Sequence, residues 1–345
     1  MEEPSVLQGI LRRYRAEINA ELRAAIGESQ LPLYQMLRYH LGWVDQLGRP
    51  RQAEAGKLLR PTLCLMACEA VGGDFHRALP VAAALELVHN FSLIHDDIED
   101  RGMERHHRPT LWTIWGEPQA INAGDAMHAL AHSVVCRLEA LEVPADKITK
   151  ASHLLDRACL LLCEGQYLDL SYESRLDIGV EAYLEMIERK TATLIECSLH
   201  EGALLGSDDE WLIQRFRTGG RKLGLAFQIR DDILGIWGRA EVTGKSSTTD
   251  IQTKKKSLPV VYALERAPGK QRDRLRELYL KPVIEESEAV EVLEILNATG
   301  TAAQAQSLAT QFHREALAEL EATGIPAKAL AELKSVAAFL VQRHY

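Results

Sequence analysis

The stretch LPVAAALELVHNFSLIHDDIED, residues 79–100, decides how this chain is read. From 79 to 98 its apolar residues recur at helical spacing: Val81, Leu85, Val88 and Ser92 trace one stripe, with Ala83, Leu87 and Ile94 beside it. The run ends in His95-Asp96-Asp97-Ile98-Glu99-Asp100. Asp96 and Asp100 are four apart, so on a helix their carboxylates share one face, about 6 Å apart along the axis. Like charges repel there, and carboxylates near a helix C-terminus also oppose the macrodipole. A cation would hold them together. Hard divalent ions such as Mg²⁺, bound through one or two carboxylates plus phosphate oxygens, meet that demand. Taken alone, the motif reads equally well as a solvated acidic helix end.

Working outward, the helical pattern continues. The spacing predicts a helix over 191–205 and another over 211–237, with Phe216, Leu223, Phe227, Ile229 and Leu234 supplying bulk. Residues 301–343 read as two amphipathic helices broken at Gly324-Ile325-Pro326. Further breaks fall at Gly72-Gly73, Arg108-Pro109, Val143-Pro144, Gly206-Ser207 and Ala267-Pro268-Gly269. No stretch is a convincing strand, and no linker, low-complexity tract or repeat interrupts the chain. The expectation is an all-α fold: one domain spanning 1–345, with antiparallel helices around a deep central cavity.

Composition agrees and excludes alternatives. Among 345 residues, 46% are hydrophobic and only 6% aromatic, with 12 Pro, which favours helices over a β-sandwich. A formal charge of −9 argues against a broad basic face for nucleic acid. No run approaches the roughly 18 consecutive apolar residues a spanning helix needs, and Met1-Glu2-Glu3 is not a basic signal-peptide start. Cys64/Cys68 and Cys159/Cys163 are spaced to share helical faces, as reduced thiols of a cytoplasmic protein would.

A second acidic motif, Gln228-Ile229-Arg230-Asp231-Asp232-Ile233-Leu234-Gly235, lies in another mainly apolar helix, where uncompensated charge is expensive. Two such pairs, half a chain apart, point to one metal cluster facing a cavity from opposite walls. Basic residues suited to phosphate flank them: Gly56-Lys57-Leu58-Leu59-Arg60-Pro61 at a helix start, Arg105-His106-His107-Arg108-Pro109-Thr110, Lys190-Thr191 opening the 191–205 helix, Thr243-Gly244-Lys245, and Lys254-Lys255-Lys256. By itself the last cluster reads as a solvated turn. Gly244-Lys245-Ser246 is not a P-loop, because Arg239 stands where that motif needs Gly and no strand precedes it.

In this order the segments GKLLRP, HNFSLIHDDIED, RHHRPT, GQYLDL (165–170), KT, FQIRDD, TGK and KKKSLP resemble the trans-isoprenyl diphosphate synthases, the polyprenyl synthetases, across residues 56–259. The resemblance implies an all-helical homodimer that joins isopentenyl diphosphate head-to-tail to an allylic diphosphate. It implies that Asp96, Asp100 and Asp231 ligate Mg²⁺, three ions when substrate is bound, with Asp97 and Asp232 in support. Arg105, Lys190 and Lys245 would grip the allylic diphosphate, with Lys255 nearby. Lys57, Arg60 and His89 would hold isopentenyl diphosphate, while Thr191, Gln228 and Phe227 line the reacting centre. Phe91, five residues before Asp96 and so about 7.5 Å deeper along the helix, would close the pocket for the growing tail beside small Ser92. In the family an aromatic there implies short products, mainly geranylgeranyl or else farnesyl diphosphate.

Two departures qualify the resemblance. His106 stands where the family usually has a second Arg contacting isopentenyl diphosphate, and Arg108 is the residue that could compensate. Gly235 replaces a common third Asp, usually an outer-sphere metal ligand. A terpene synthase of the same fold and a non-catalytic partner subunit therefore stay open as alternatives. His128 and His132 are four apart, but the sequence offers them no nearby acidic or Cys partner, so a packed or subunit-facing role is expected. Asp169 is expected to be a structural hydrogen-bonding residue, and Trp112, Trp115 and Trp237 core or subunit-contact residues.

Overall fold

The computed structural model describes residues 3–51, 56–238 and 249–341. Helices carry nearly all of them, and the principal ones are Leu59–Ala70, Leu79–Glu99, Glu117–Val135, Ala145–Tyr172, Thr193–Gly206, Glu210–Trp237 and Thr301–Ala322. The expected breaks separate helices, including the one between Thr301–Ala322 and Ala327–Val341. One exception to the all-helical expectation is a hairpin of two-residue strands, Glu104–Arg105 antiparallel to Arg108–Pro109. Its two-residue turn, His106-His107, has φ of 51° and 57°, the left-handed geometry that matches the twist of a tight hairpin. Strands this short leave no periodicity to read.

The chain forms two compact units. The first comprises Met1–Cys159, Cys197–Gln214 and Ile325–Glu332; the second comprises Leu160–Glu196, Arg215–Gly324 and Leu333–Tyr345. In the first, Leu79–Glu99 is the central element and packs most extensively on Glu117–Val135. Val81, Ala82, Ala83, Ala84, Leu85, Leu87 and Val88 are all fully buried. Segment Phe75–Glu99 is long and apolar enough to cross a membrane by composition, but 72% of its most apolar window is buried inside the protein, as in a core helix. Close helix approach comes from small residues: a Cβ on Gly202 would collide with the Cys64 carbonyl, and one on Gly124 with the His95 ring.

The second unit departs from the expected helix start at 191. Helix Val180–Ile187 passes through a π-helical turn, Glu188–Ala192, into Thr193–Gly206. Lys190 and Thr191 thus sit within a widened turn in mid-helix, a geometry found often at functional sites. Glycines from two helices press on it. A Cβ on Gly165 would strike the Lys190 backbone, and one on Gly224 would lie 2.5 Å from the Ala192 Cα. Around the turn, Tyr183, Met186, Ile187, Leu225, Ile229 and Ile233 form a continuous core.

This packing predicts that Gly165→Ala lowers the thermal midpoint, since overpacking costs about 1–3 kcal/mol. Gly9→Ala, on a helix with nothing within 4 Å of the added methyl, should leave the midpoint unchanged or raise it. Equal midpoints in thermal unfolding of the two variants would count against a backbone clamp at Gly165.

Candidate active site

The first acidic motif closes the Leu79–Glu99 helix, with Asp100 as its C-cap. Asp97 turns inward and is 5% exposed. Arg105 of the hairpin meets it through Nε, at 2.9 and 3.1 Å from the two carboxylate oxygens, and through a terminal nitrogen at 2.8 Å. Burial raises the Asp97 pKa, and the Arg105 hydrogen bond and charge oppose the rise. Asp97 therefore acts as a positioning residue for Arg105, while Asp96 is partly exposed and Asp100 exposed on the helix end.

Beside them, Lys57 is exposed and followed by Leu58, a left-handed residue at φ 50°, ψ 40° that caps the Leu59–Ala70 helix. The left-handed region costs a residue with a Cβ about 1–2 kcal/mol, and burial of the Leu58 side chain, 4% exposed, offsets it. Arg60, one residue into that helix, is desolvated enough to push its pKa down to about 10, with Glu86 acting against the fall. Its buried Nε has no hydrogen-bond partner among the described residues. Burial first, then Arg60 and Arg105, holds His89 well below the ordinary imidazole range. His40, on the Pro32–His40 helix, is pushed down to about 3 by burial and then by Arg105, Arg108 and His106. A set of cationic and imidazole groups that depress one another's protonation is arranged for an anion.

His106 is exposed at the hairpin tip, and burial of its ring, then Arg105, lowers its pKa. Arg108, the residue that could compensate for it, is engaged with the Pro32–His40 helix and the segment after it. Its guanidinium donates to the carbonyls of Tyr39 at 2.7 Å and Val44 at 3.3 Å and covers the Tyr39 ring. Phe91 is buried, edge-on to His128 with ring centroids 5.0 Å apart, and Ser92 beside it donates to the His89 carbonyl.

In the second unit, Lys190 donates to Asp169, which is therefore a hydrogen-bonding residue at the π-turn. Thr191 Oγ1 donates to Gln228 Oε1 at 2.8 Å, and Gln228 Nε2 donates to Asp232 at 3.0 Å. Asp232 is 1% exposed and also accepts from the Tyr183 hydroxyl and, at 2.8 Å, from the Leu258 N–H. Burial raises its pKa to about 6, against the pull of Lys255. Asp231, one residue before, is exposed. Phe227 is partly buried on the same helix.

The lysine cluster is not the solvated turn its composition suggests. Lys256 is 3% exposed and donates to the Glu173 carbonyl at 3.0 Å. Lys255 lies among Asp232, Asp250, Asp231 and Asp169, whose charges outweigh burial and raise its pKa. Lys245 lies outside the described residues. Trp112 donates to the Gly102 carbonyl and Trp237 to Asn297, while Trp115 packs edge-on to Tyr39.

Four residues here were not singled out from sequence. Glu86 carried a signal, as the one acid in an apolar run, but His40 and Tyr183 carried none. The fourth is Asp250. Its carboxylate occupies the position that a Cβ on residue 235 would take, so the acid missing at Gly235 is replaced in space by one fifteen positions later. Within each unit the motif presents hard carboxylate oxygens, Asp96 and Asp100 in the first and Asp231 in the second, a donor type that suits Mg²⁺. Asp97 and Asp232 are already taken by protein donors.

Residues 43–296 match the polyprenyl synthetase family. The chain is 39% identical over 313 residues to (2E,6E)-farnesyl diphosphate synthase of Mycobacterium tuberculosis, covering 89% of this chain and 85% of the relative. It is 38% identical over 316 residues to geranylgeranyl diphosphate synthase of the same organism, covering 91% and 88%. Its fold superposes on the crystal structure of polyprenyl synthetase from Streptomyces coelicolor with a TM-score of 0.90 at 36% identity, over 97% of this chain and 99% of that one. The chain belongs to the polyprenyl synthetase family and is a prenyl-transferring enzyme of the short-chain trans-isoprenyl diphosphate synthase type.

The neutral histidines set a pH dependence. His40 titrates near 6.5 when unfolded and near 3 when folded, so between those values the unfolded chain binds the extra proton. Stability contributed by this residue is full above about pH 6.5 and falls as pH drops toward 3. His40→Gln should therefore flatten the stability slope between pH 6.5 and 5 by up to about 1.4 kcal/mol per pH unit. Urea unfolding of both proteins across that range measures it, and parallel slopes would contradict the assignment.

Proposed function

We propose that this protein condenses isopentenyl diphosphate head-to-tail with an allylic diphosphate to give geranylgeranyl diphosphate, with farnesyl diphosphate the next shorter product. The observation that carries the reading is the division within each acidic pair. One carboxylate is buried against protein donors, while Asp96 is partly exposed and Asp100 and Asp231 are exposed. Asp96, Asp100 and Asp231 would hold Mg²⁺, three ions with substrate present. Bound there, Mg²⁺ would supply positive charge to the diphosphate oxygens of the allylic substrate.

The chain's own residues account for the rest. Lys190, aimed by Asp169 from the π-turn, and Arg105, aimed by Asp97, neutralise the charge that appears on the leaving diphosphate as the allylic C–O bond breaks. Lys245 joins them, and Lys255 completes the cationic set. Lys57, Arg60 and His89 bind isopentenyl diphosphate; Arg60 brings an unsatisfied buried N–H and His89 a neutral ring. Thr191 and Gln228, bonded to each other, fix the edge of the reacting centre, and Phe227 presents an apolar face. The alkene attacks the allylic cation and a proton leaves to the departed diphosphate, so no side-chain nucleophile is required. The reaction requires that water be kept from the cation. The reading includes a single catalytic domain over 1–345 and a homodimer in the cytoplasm, a compartment that keeps thiols reduced.

Incubating the purified protein with Mg²⁺, farnesyl diphosphate and labelled isopentenyl diphosphate should give a labelled diphosphate one unit longer. A hydrocarbon or alcohol product, or turnover only with a second protein, would overturn the reading. Phe91→Ala should shift the product distribution to chains at least one isoprene unit longer, because the buried ring at the fifth position before Asp96 is removed. An unchanged distribution by chromatography would remove Phe91 as the stop.

A further inference from the structure

The wall behind Phe91 carries a side-chain cluster that prenyl transfer does not use. His128 and His132, one turn apart on the Glu117–Val135 helix, face each other with their Nε2 atoms 3.2 Å apart. The acidic and Cys partners not evident from sequence are supplied by the neighbouring Ala145–Tyr172 helix. Asp156 places Oδ1 2.9 Å from His132 Nδ1, and Cys159, 5% exposed, stands one turn further on. Ligand atoms of His128, His132 and Cys159 all lie within 4.8 Å of one another.

We infer that His128, His132 and Cys159 form a binding site for a borderline-soft divalent ion of the zinc type, with Asp156 orienting His132. The Nε2–Nε2 separation is the edge expected of a tetrahedron, since two nitrogens each about 2.0–2.1 Å from a common ion lie roughly 3.3 Å apart. Asp156 accepts from His132 Nδ1–H, which fixes the tautomer and leaves the Nε2 lone pair directed at the shared point. Carboxylate–histidine pairs orient metal-binding rings in this way. Cys159 binds as thiolate, its proton passing to solvent. Three protein ligands leave a fourth position for water.

The donor chemistry separates this site from the carboxylates. Imidazole and thiolate suit Zn²⁺ or Co²⁺, whereas Mg²⁺ selects the hard oxygens of the acidic motifs. An ion here would tie two helices together and fix the His128 ring that packs against Phe91.

The test is a Co²⁺ titration of the full-length, chelator-stripped protein in excess Mg²⁺, followed by optical absorption. One equivalent should bind with thiolate-to-cobalt charge transfer in the near ultraviolet and the visible bands of tetrahedral Co²⁺, both removed by added Zn²⁺. Carboxylate sites cannot produce the thiolate absorption. Cys159→Ser should abolish it, and Asp156→Asn should retain it with binding weakened about 10- to 100-fold; circular dichroism checks that both variants stay helical. Absence of the thiolate absorption in the unmodified protein, a reading that needs no variant, would overturn the inference. So would its persistence in Cys159→Ser.

Discussion

A carboxylate taken out of water must be met by donors, and both acidic motifs are organised by that requirement. Desolvation would otherwise cost several kcal/mol per ion, more than any single contact nearby returns. Asp97 is met by the three-point approach of Arg105. Asp232 is met by Tyr183, Gln228 and the Leu258 N–H. The inner acid of each pair thereby fixes the surrounding elements: Asp97 holds the hairpin against the end of the Leu79–Glu99 helix, and Asp232 joins three segments of the second unit. The neighbouring acids of each motif sit on the support that this creates.

The same economy governs the cations. Lys190 is placed by backbone, because Gly165 and Gly224 let two helices press directly on the π-turn. Asp169 then aims its amine. A lysine on a regular helix would point one position differently and would have more rotamers to lose on binding. Strain follows the same map. Among the described residues, six without glycine's freedom have positive φ, and five of them, Leu58, Arg101, His106, His107 and Lys254, lie in or beside the binding motifs. Left-handed backbone is kept where surrounding packing over-determines it, and here that packing supports the site.

The fold was legible because burial and helical period agree. The Leu79–Glu99 helix, the Glu210–Trp237 helix and the break at 324–326 follow from apolar spacing and from Gly and Pro. The π-turn was not legible, since its start signal, Lys190-Thr191, is where the helix widens, not where it begins. The hairpin was too short to alternate. At the site, residue type announced Asp96, Asp231, Lys190 and Arg105, but not which acid of a pair turns inward. That choice is made by Tyr183 and by the Leu258 N–H, which are distant in sequence and unremarkable in type. Charge composition also misled at 254–256, where three lysines imply solvent and tertiary context buries one and surrounds another with acids.

The two departures from the family pattern are not equivalent once placed in space. Replacing Asp with Gly at 235 removes a carboxylate from one helix, but the vacated volume admits the Asp250 carboxylate, beside Lys255. A carboxylate thus stands against residue 235 although the sequence places none at that position. Replacing Arg with His at 106 removes a fixed charge from an exposed hairpin tip, where neighbouring Arg105 further discourages protonation of the imidazole. Arg108 could move only by leaving its hydrogen bonds to the Tyr39 and Val44 carbonyls and its place over the Tyr39 ring. Beyond burial, Arg105 also lowers the pKa of His89 and His40, with Arg60 adding to the effect at His89 and Arg108 at His40. Those groups are already crowded enough to hold their histidines neutral, and adding a second guanidinium at 106 would depress them further. Histidine at 106 therefore adds less repulsion to this cluster than a second guanidinium would.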